Sequence, residues 1–212
     1  MCSSDLALAI IINSMLVMAS GTTAVAVYTA SMRIVQLAMI PLIGLGTAVL
    51  TVAGIAYGAH NHVNLKTAHS YSIKLGFAIS IVLGAAMFIF SSQLAAMFSY
   101  TQASASLSPQ IAAAISVLSL FVLAIPHGIM SSMMFQGVGK GGYSLLITLL
   151  RSLILESVFA YIFCFIFGLG LQGIYAGVVF GCFVGGTVGY VWAKFFIDRK
   201  STRLNSSHNL RS

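Results

Sequence analysis

Long apolar runs separated by short polar breaks dominate the chain. An α-helix needs roughly 20 apolar residues to cross the hydrocarbon core of a bilayer. The pattern predicts an all-α integral membrane protein, a six-helix transmembrane bundle whose first helix is truncated. Short connections make neighbouring helices antiparallel. The predicted spans are residues 7–19, 34–56, 77–98, 109–136, 143–167 and 173–197.

The polar breaks between these runs predict different connections. Residues 20–23 form a polar turn, and the glycine-rich residues 137–142 join the fourth and fifth spans. Three histidines and two lysines within residues 60–74 indicate a loop followed by a short interfacial helix. Residues 99–108 are uncharged and rich in serine, threonine and alanine, which indicates another loop.

The composition makes the bilayer the solvent for this chain. Only 6% of the residues are charged and 59% are hydrophobic, whereas soluble domains average about 25% charged residues. The net charge of +7 does not indicate nucleic-acid binding, because the basic residues lie singly between apolar runs. Cys164 and Cys182 lie inside apolar runs without CxxC spacing, so neither a metal site nor a disulfide is predicted.

Both ends of the chain resemble translated sequencing-adapter DNA. Residues 198–208 read DRKSTRLNSSH, and residues 2–6 read CSSDL. We therefore expect residues 1–6 and 198–212 not to belong to the protein, and residues 7–197 to form one transmembrane lobe. Without these ends, six basic residues and a single acid, Glu156, leave a net charge of +5.

Lysines fall on alternate connections. Lys66 and Lys74 follow the second span, Lys140 follows the fourth, and Lys194 lies at the end of the sixth. The other connections contain neither lysine nor arginine. The positive-inside rule then predicts a multi-pass protein of the cytoplasmic (inner) membrane, with these lysines and the carboxy terminus on the cytoplasmic side.

The sixth span carries glycine at every fourth position, and two other spans contain proline. Overlapping GxxxG units let a neighbouring backbone approach closely, so we expect a helix-packing stripe, with a direct ligand role as the alternative. Proline is expected to kink the second and fourth spans. The residues are Gly173, Gly177, Gly181, Gly185, Gly189, Pro41 and Pro126.

Glu156 lies about 20 Å along the fifth span, near or past the middle of the membrane. A charge at that depth costs roughly 2.5 to 3.5 kcal/mol even on the lenient insertion scale. Arg151 precedes it by five residues, about 140° around an α-helix, so pairing within the helix is not expected. Glu156 is either a proton or cation carrier or a structural hydrogen-bonding residue, and both roles require a cavity or a group on another helix.

Three further residues are candidates for ion coupling or substrate binding. His127, which follows Pro126, either titrates or binds a cation, or it is simply hydrogen-bonded between helices. Asn13 has the same two interpretations, and Arg151 is the third candidate. No HExxH, no GxSxG and no acid pair is present, so the chain is not predicted to be an enzyme.

Three segments resemble the carboxy-terminal lobe of multidrug and toxic compound extrusion (MATE) transporters, which consist of two six-helix lobes. They are AVAVYTASMRIVQLAMIPLIGLGTAVLTVAGIAYGA, FQGVGKGGYSLLITLLRSLI and FGLGLQGIYAG. The resemblance covers residues 7–194 and equates the spans with the family's seventh to twelfth helices. It implies alternating-access efflux of a small cationic amphipathic substrate in exchange for Na⁺ or H⁺, without another cofactor. The implied partners are the lipid bilayer and a missing amino-terminal lobe.

The resemblance transfers location rather than role to the candidate residues. Some family members hold an acid near the positions of His127 and Asn13, whereas many have an apolar residue or proline where Glu156 stands. Two alternatives remain open. One is a flippase of lipid-linked saccharides with the same architecture, for which a cavity lined by several arginines is expected. The other is a non-transporting membrane scaffold subunit.

Overall fold

The computed structural model describes residues 3–97 and 106–209, with side chains for residues 7–97 and 106–199. All regular structure in these ranges is helical, which confirms the predicted all-α membrane fold. Most of the predicted loop at residues 99–108 lies outside the described residues. The helices are α1 (Ser3–Ser20), α2 (Thr22–Gly58), α3 (His62–Ile89), α4 (Ser91–Met97), α5 (Ser108–Ala124), α6 (Pro126–Gly137), α7 (Gly141–Ile166) and α8 (Gly170–Asn209).

Four of these helices, α2, α3, α7 and α8, are long and apolar enough to cross a membrane. Helices α5 and α6 form a fifth span if counted together, bent by 42° where Pro126 begins α6. Helix α1 has a shorter apolar stretch, Ala7–Ser20. Helix α2 continues as one element through Pro41, which lies at an exposed position.

The segment after α2 differs from the predicted loop and interfacial helix. Only residues 59–61 interrupt the helices, and His60 takes a left-handed backbone conformation with φ 55°. The Asn61 side chain accepts a hydrogen bond from the backbone N–H of Asn64 at 2.9 Å, which caps α3. Because no glycine or proline follows before Gly76, the polar residues continue directly into the apolar part of α3.

Helix α8 packs along α7 through its row of glycines. A Cβ atom placed on Gly173 would lie 2.5 Å from the carbonyl oxygen of Phe163, and one on Gly185 would lie 2.7 Å from the Cα of Arg151. The intervening glycines meet the backbone of α7 in the same way. The two helices are therefore antiparallel neighbours whose backbones approach more closely than side chains would permit.

The lysine-bearing connections lie at one end of the bundle. Lys66, near the start of α3, forms an ion pair with Asp198, late in α8, at 2.8 Å. At the same end, Trp192 of α8 packs on Tyr143, with ring centroids 5.2 Å apart, and Tyr143 lies three residues after Lys140. The predicted orientation places this end in the cytoplasm.

Candidate functional site

Two stretches of α7, Leu149–Leu155 and Ile162–Ile166, are π-helical. In the first of them the backbone N–H of Glu156 donates to the carbonyl of Arg151, five residues earlier. This spacing of hydrogen bonds places residues five apart above one another. Arg151 Nη1 lies 3.6 Å from Glu156 Oε1. The prediction that the two residues do not pair within the helix is therefore wrong, since it assumed regular α-helical geometry.

The Arg151–Glu156 pair is buried. The Glu156 side chain is 3% exposed and that of Arg151 is 17% exposed. Two charges in so apolar a place require each other, because removal of one partner leaves the other buried without compensation. Arg151 is therefore the nearby polar partner that the buried carboxylate of Glu156 requires.

Arg151 also connects α7 to α8. Its Nη1 lies 3.3 Å from Cys182 Sγ, and the Cys182 thiol faces the carbonyl of Ala124 at 3.8 Å. The stem of the arginine runs over Gly185, where a Cβ atom would lie 2.7 Å from Arg151 Cβ and Cγ. A glycine in the stripe thus provides the room in which the guanidinium reaches the interior of the bundle.

His127 lies next to this pair, at the start of α6. It is 5% exposed, and its Nε2 lies 3.1 Å from the carbonyl oxygen of Phe183 and 3.3 Å from Thr187 Oγ1. A carbonyl only accepts, so Nε2 carries the proton and Nδ1 is left as an acceptor. Among the described residues Nδ1 has no hydrogen-bond partner. The ring thus joins α6 to α8 and keeps one basic nitrogen available.

A second buried histidine extends the polar groups towards the lysine end. His69 of α3 is 3% exposed, and its Nε2 lies 3.2 Å from Ser131 Oγ. Ser131 donates to the carbonyl of His127 at 2.7 Å. The sequence pattern placed His69 in a loop or interfacial helix, so His69 was not identified as a buried polar residue. A usable signal was its position seven residues before Gly76, which puts both residues on one face of a continuous helix.

Asn13 belongs to a different place. It is half-buried on α1 and lines an open cavity of about 650 Å³ between α1 and α2, together with Ser14 and Thr22. None of the residues that line this cavity belongs to the Arg151, Glu156 and His127 cluster. Within the described ranges no three His, Cys, Asp or Glu side chains are grouped to hold a metal ion.

Substitution Gly186→Ala tests how tightly His127 is held. A Cβ atom there would lie 2.6 Å from His127 Nε2, so the ring must move and lose its bond to Phe183. We expect a loss of about 1–3 kcal/mol, the usual cost of overpacking, measured by thermal unfolding in detergent. Gly142→Ala is the control, because nothing lies within 4 Å of its added Cβ. Equal stability of both variants would contradict the packing described for His127.

The sequence and structure are similar to known membrane transporters. The profile of the MatE family matches residues 6–162. Similar solved structures are "Crystal structure of MATE in complex with MaL6" (35% identity, TM-score 0.92) and the inward-facing and outward-facing conformations of a multidrug resistance MATE family transporter of the MOP superfamily (both 36% identity, TM-scores 0.90 and 0.91).

Each match covers 94% of this chain and 44–46% of the solved chain. The chain thus spans less than half the length of these transporters. A comparison with curated protein sequences gives no significant match.

Proposed function

Since the chain belongs to the MatE family of membrane transporters, we propose that it is one lobe of a two-lobe carrier. The carrier exports cationic amphipathic compounds in exchange for Na⁺ or H⁺. The second lobe is a missing amino-terminal half, which the greater length of the similar solved chains supports. Each lobe alone lacks the opposing wall of a substrate path, so export requires both.

The observation that carries this proposal is the equal fit to two access states. The chain superposes on the inward-facing structure with a TM-score of 0.90 and on the outward-facing one with 0.91. The internal arrangement of the lobe therefore does not have to change between states. This supports alternating access by rocking of one rigid lobe against another, as in other carriers built from repeats.

The buried ion pair contains a carboxylate, that of Glu156, to which a coupling ion can bind. A proton or Na⁺ at Glu156 neutralises its carboxylate and weakens the attraction of Arg151, whose guanidinium also contacts Cys182 of α8. Loading of the carboxylate would then alter the contact between α7 and α8. Ionisable groups within membrane spans commonly mark ion pathways, which supports Glu156 as the coupling residue.

The flippase alternative finds less support in the arginines. Arg33 lies at an exposed position on α2, and Arg151 is directed towards Glu156. A cavity for a large anionic lipid would require several cationic side chains facing one space. We therefore propose that the carrier exports cations, and the experiment below also measures lipid transfer as the alternative.

The test uses the product of the complete gene, purified and reconstituted into vesicles. A fluorescent lipophilic cation is loaded, and a Na⁺ gradient or a pH gradient is imposed separately. We expect efflux of the cation under one gradient and none without a gradient. Transfer of a fluorescent anionic lipid between leaflets, without movement of the cation, would contradict the proposal and favour the flippase.

A further inference from the structure

Helices α3 and α8 form a seam that runs from the lysine end towards the interior of the membrane. Residues 66, 70, 77 and 81 share one face of α3, and residues 194, 190, 183 and 180 share one face of α8, by their spacing of three, four or seven. At the lysine end of the seam, His69, early in α3, stacks on Tyr190, late in α8, with ring centroids 5.9 Å apart. The helices are antiparallel there, because an early residue of α3 meets a late residue of α8.

The inner part of the seam is an apolar groove of about 520 Å³. Its walls come from α3, α5, α7 and α8 and include Phe77, Ile81, Leu120, Ala176, Phe180 and Phe183. Ile81, Leu120 and Phe183 are more than half exposed. The rings of Phe77 and Phe183 pack on His127, with centroids 5.7 and 5.4 Å away, so they separate the groove from the polar cluster.

The outer part of the seam is a small basic mouth. It is lined by Lys66, His69, Ser70, Tyr190, Lys194 and Asp198 and has a volume of about 30 Å³, enough for about one water molecule. Lys66 and Lys194 both line this mouth and bring two positive charges to it.

We propose that the seam binds one anionic phospholipid from the leaflet at the lysine end. An acyl chain occupies the groove, whose walls are almost wholly apolar. The phosphate lies outside the mouth, against the exposed side chains of Lys66 and Lys194. Juxtamembrane lysines attract anionic headgroups by about 1 kcal/mol each. Both parts of the site follow from geometry and charge, and the proposal is independent of the function proposed for the polar cluster.

The test measures lipid retained by the purified full chain. After removal of co-purified lipid, phosphatidylglycerol or phosphatidylcholine is titrated in detergent, and native mass spectrometry counts chains with one lipid bound. We expect tighter binding of phosphatidylglycerol by the parent. Lys66→Gln and Lys194→Gln should each weaken it about fivefold, and Ala176→Trp, which fills the groove, should weaken both lipids.

One further variant and one soluble ligand complete the design. Lys140→Gln is the matched control, because Lys140 lies in the turn before α7 and not among the residues that line the mouth, and it should bind like the parent. Equal loss in all three lysine variants, or complete competition by inorganic phosphate, would overturn the proposal of a lipid site.

Discussion

Replacement of Glu156 by glutamine is expected to abolish ion-driven efflux in the complete carrier. Glutamine keeps the size of the side chain but removes the only carboxylate in α7. Neither Na⁺ nor a proton then has a carboxylate to neutralise, so ion binding no longer alters the contact between α7 and α8. The measurement is gradient-driven export of a fluorescent cation from vesicles, compared with the parent at equal protein content.

A double variant separates coupling from mere stability. Glu156→Gln leaves the buried Arg151 without its counter-charge, which typically costs about 3–5 kcal/mol. Adding Arg151→Gln removes that uncompensated charge, so the double variant should regain much of the unfolding free energy in a double-mutant cycle. If Glu156 couples the ion, efflux stays absent although stability returns. Efflux that recovers together with stability in the double variant, or that is unchanged in Glu156→Gln, would contradict a coupling role for Glu156.

Gly181→Leu is expected to cause a large loss of stability. The added Cβ would lie 2.6 Å from the Cα of Glu156 and 2.7 Å from the carbonyl oxygen of Leu155. Both are backbone atoms of α7, so a change of side-chain rotamer cannot relieve the overlap. Helices α7 and α8 must therefore separate. We expect a loss at or above the roughly 3 kcal/mol upper range for overpacking, measured by thermal unfolding in detergent.

The control for this substitution is Gly44→Leu. Gly44 also lies inside a membrane-spanning helix, α2, but nothing lies within 4 Å of its added Cβ, and the position is exposed. Leucine there should face lipid and leave the melting temperature near that of the parent. A stable Gly181→Leu variant would show that α8 does not depend on its glycine row, and a destabilised Gly44→Leu would show that the assay reports membrane insertion instead.

Much of the fold was predictable because the bilayer imposes it. A charged fraction of 6% and apolar runs of about 20 residues leave the helical bundle as the natural solution. The glycine spacing on α8 indicated a close helix neighbour, although its role in stability stays a prediction until Gly181→Leu is measured. The segment after α2 was less predictable, because His60 and the Asn61 cap shorten the break to residues 59–61.

The candidate site was predictable in its parts but not in its assembly. Glu156, His127 and Arg151 each attracted attention as polar groups at membrane depth, and the structure brings these three together. Asn13 attracted attention for the same reason and lines a separate cavity. His69 was missed, since its environment depends on Ser131 and Tyr190, which are distant in the chain and meet it only across helices.

By itself, the sequence determined that this chain is a membrane-embedded helical bundle that carries one acid in its apolar interior. Only the tertiary structure decided what that acid meets. On a regular α-helix, Arg151 and Glu156 would lie on different faces. No glycine or proline between them indicates that the helix departs from regular α-helical geometry. Packing of α7 against the glycines of α8 accompanies a π-helical turn at Leu149–Leu155. The wider turn aligns residues five apart and thereby places the guanidinium beside the carboxylate.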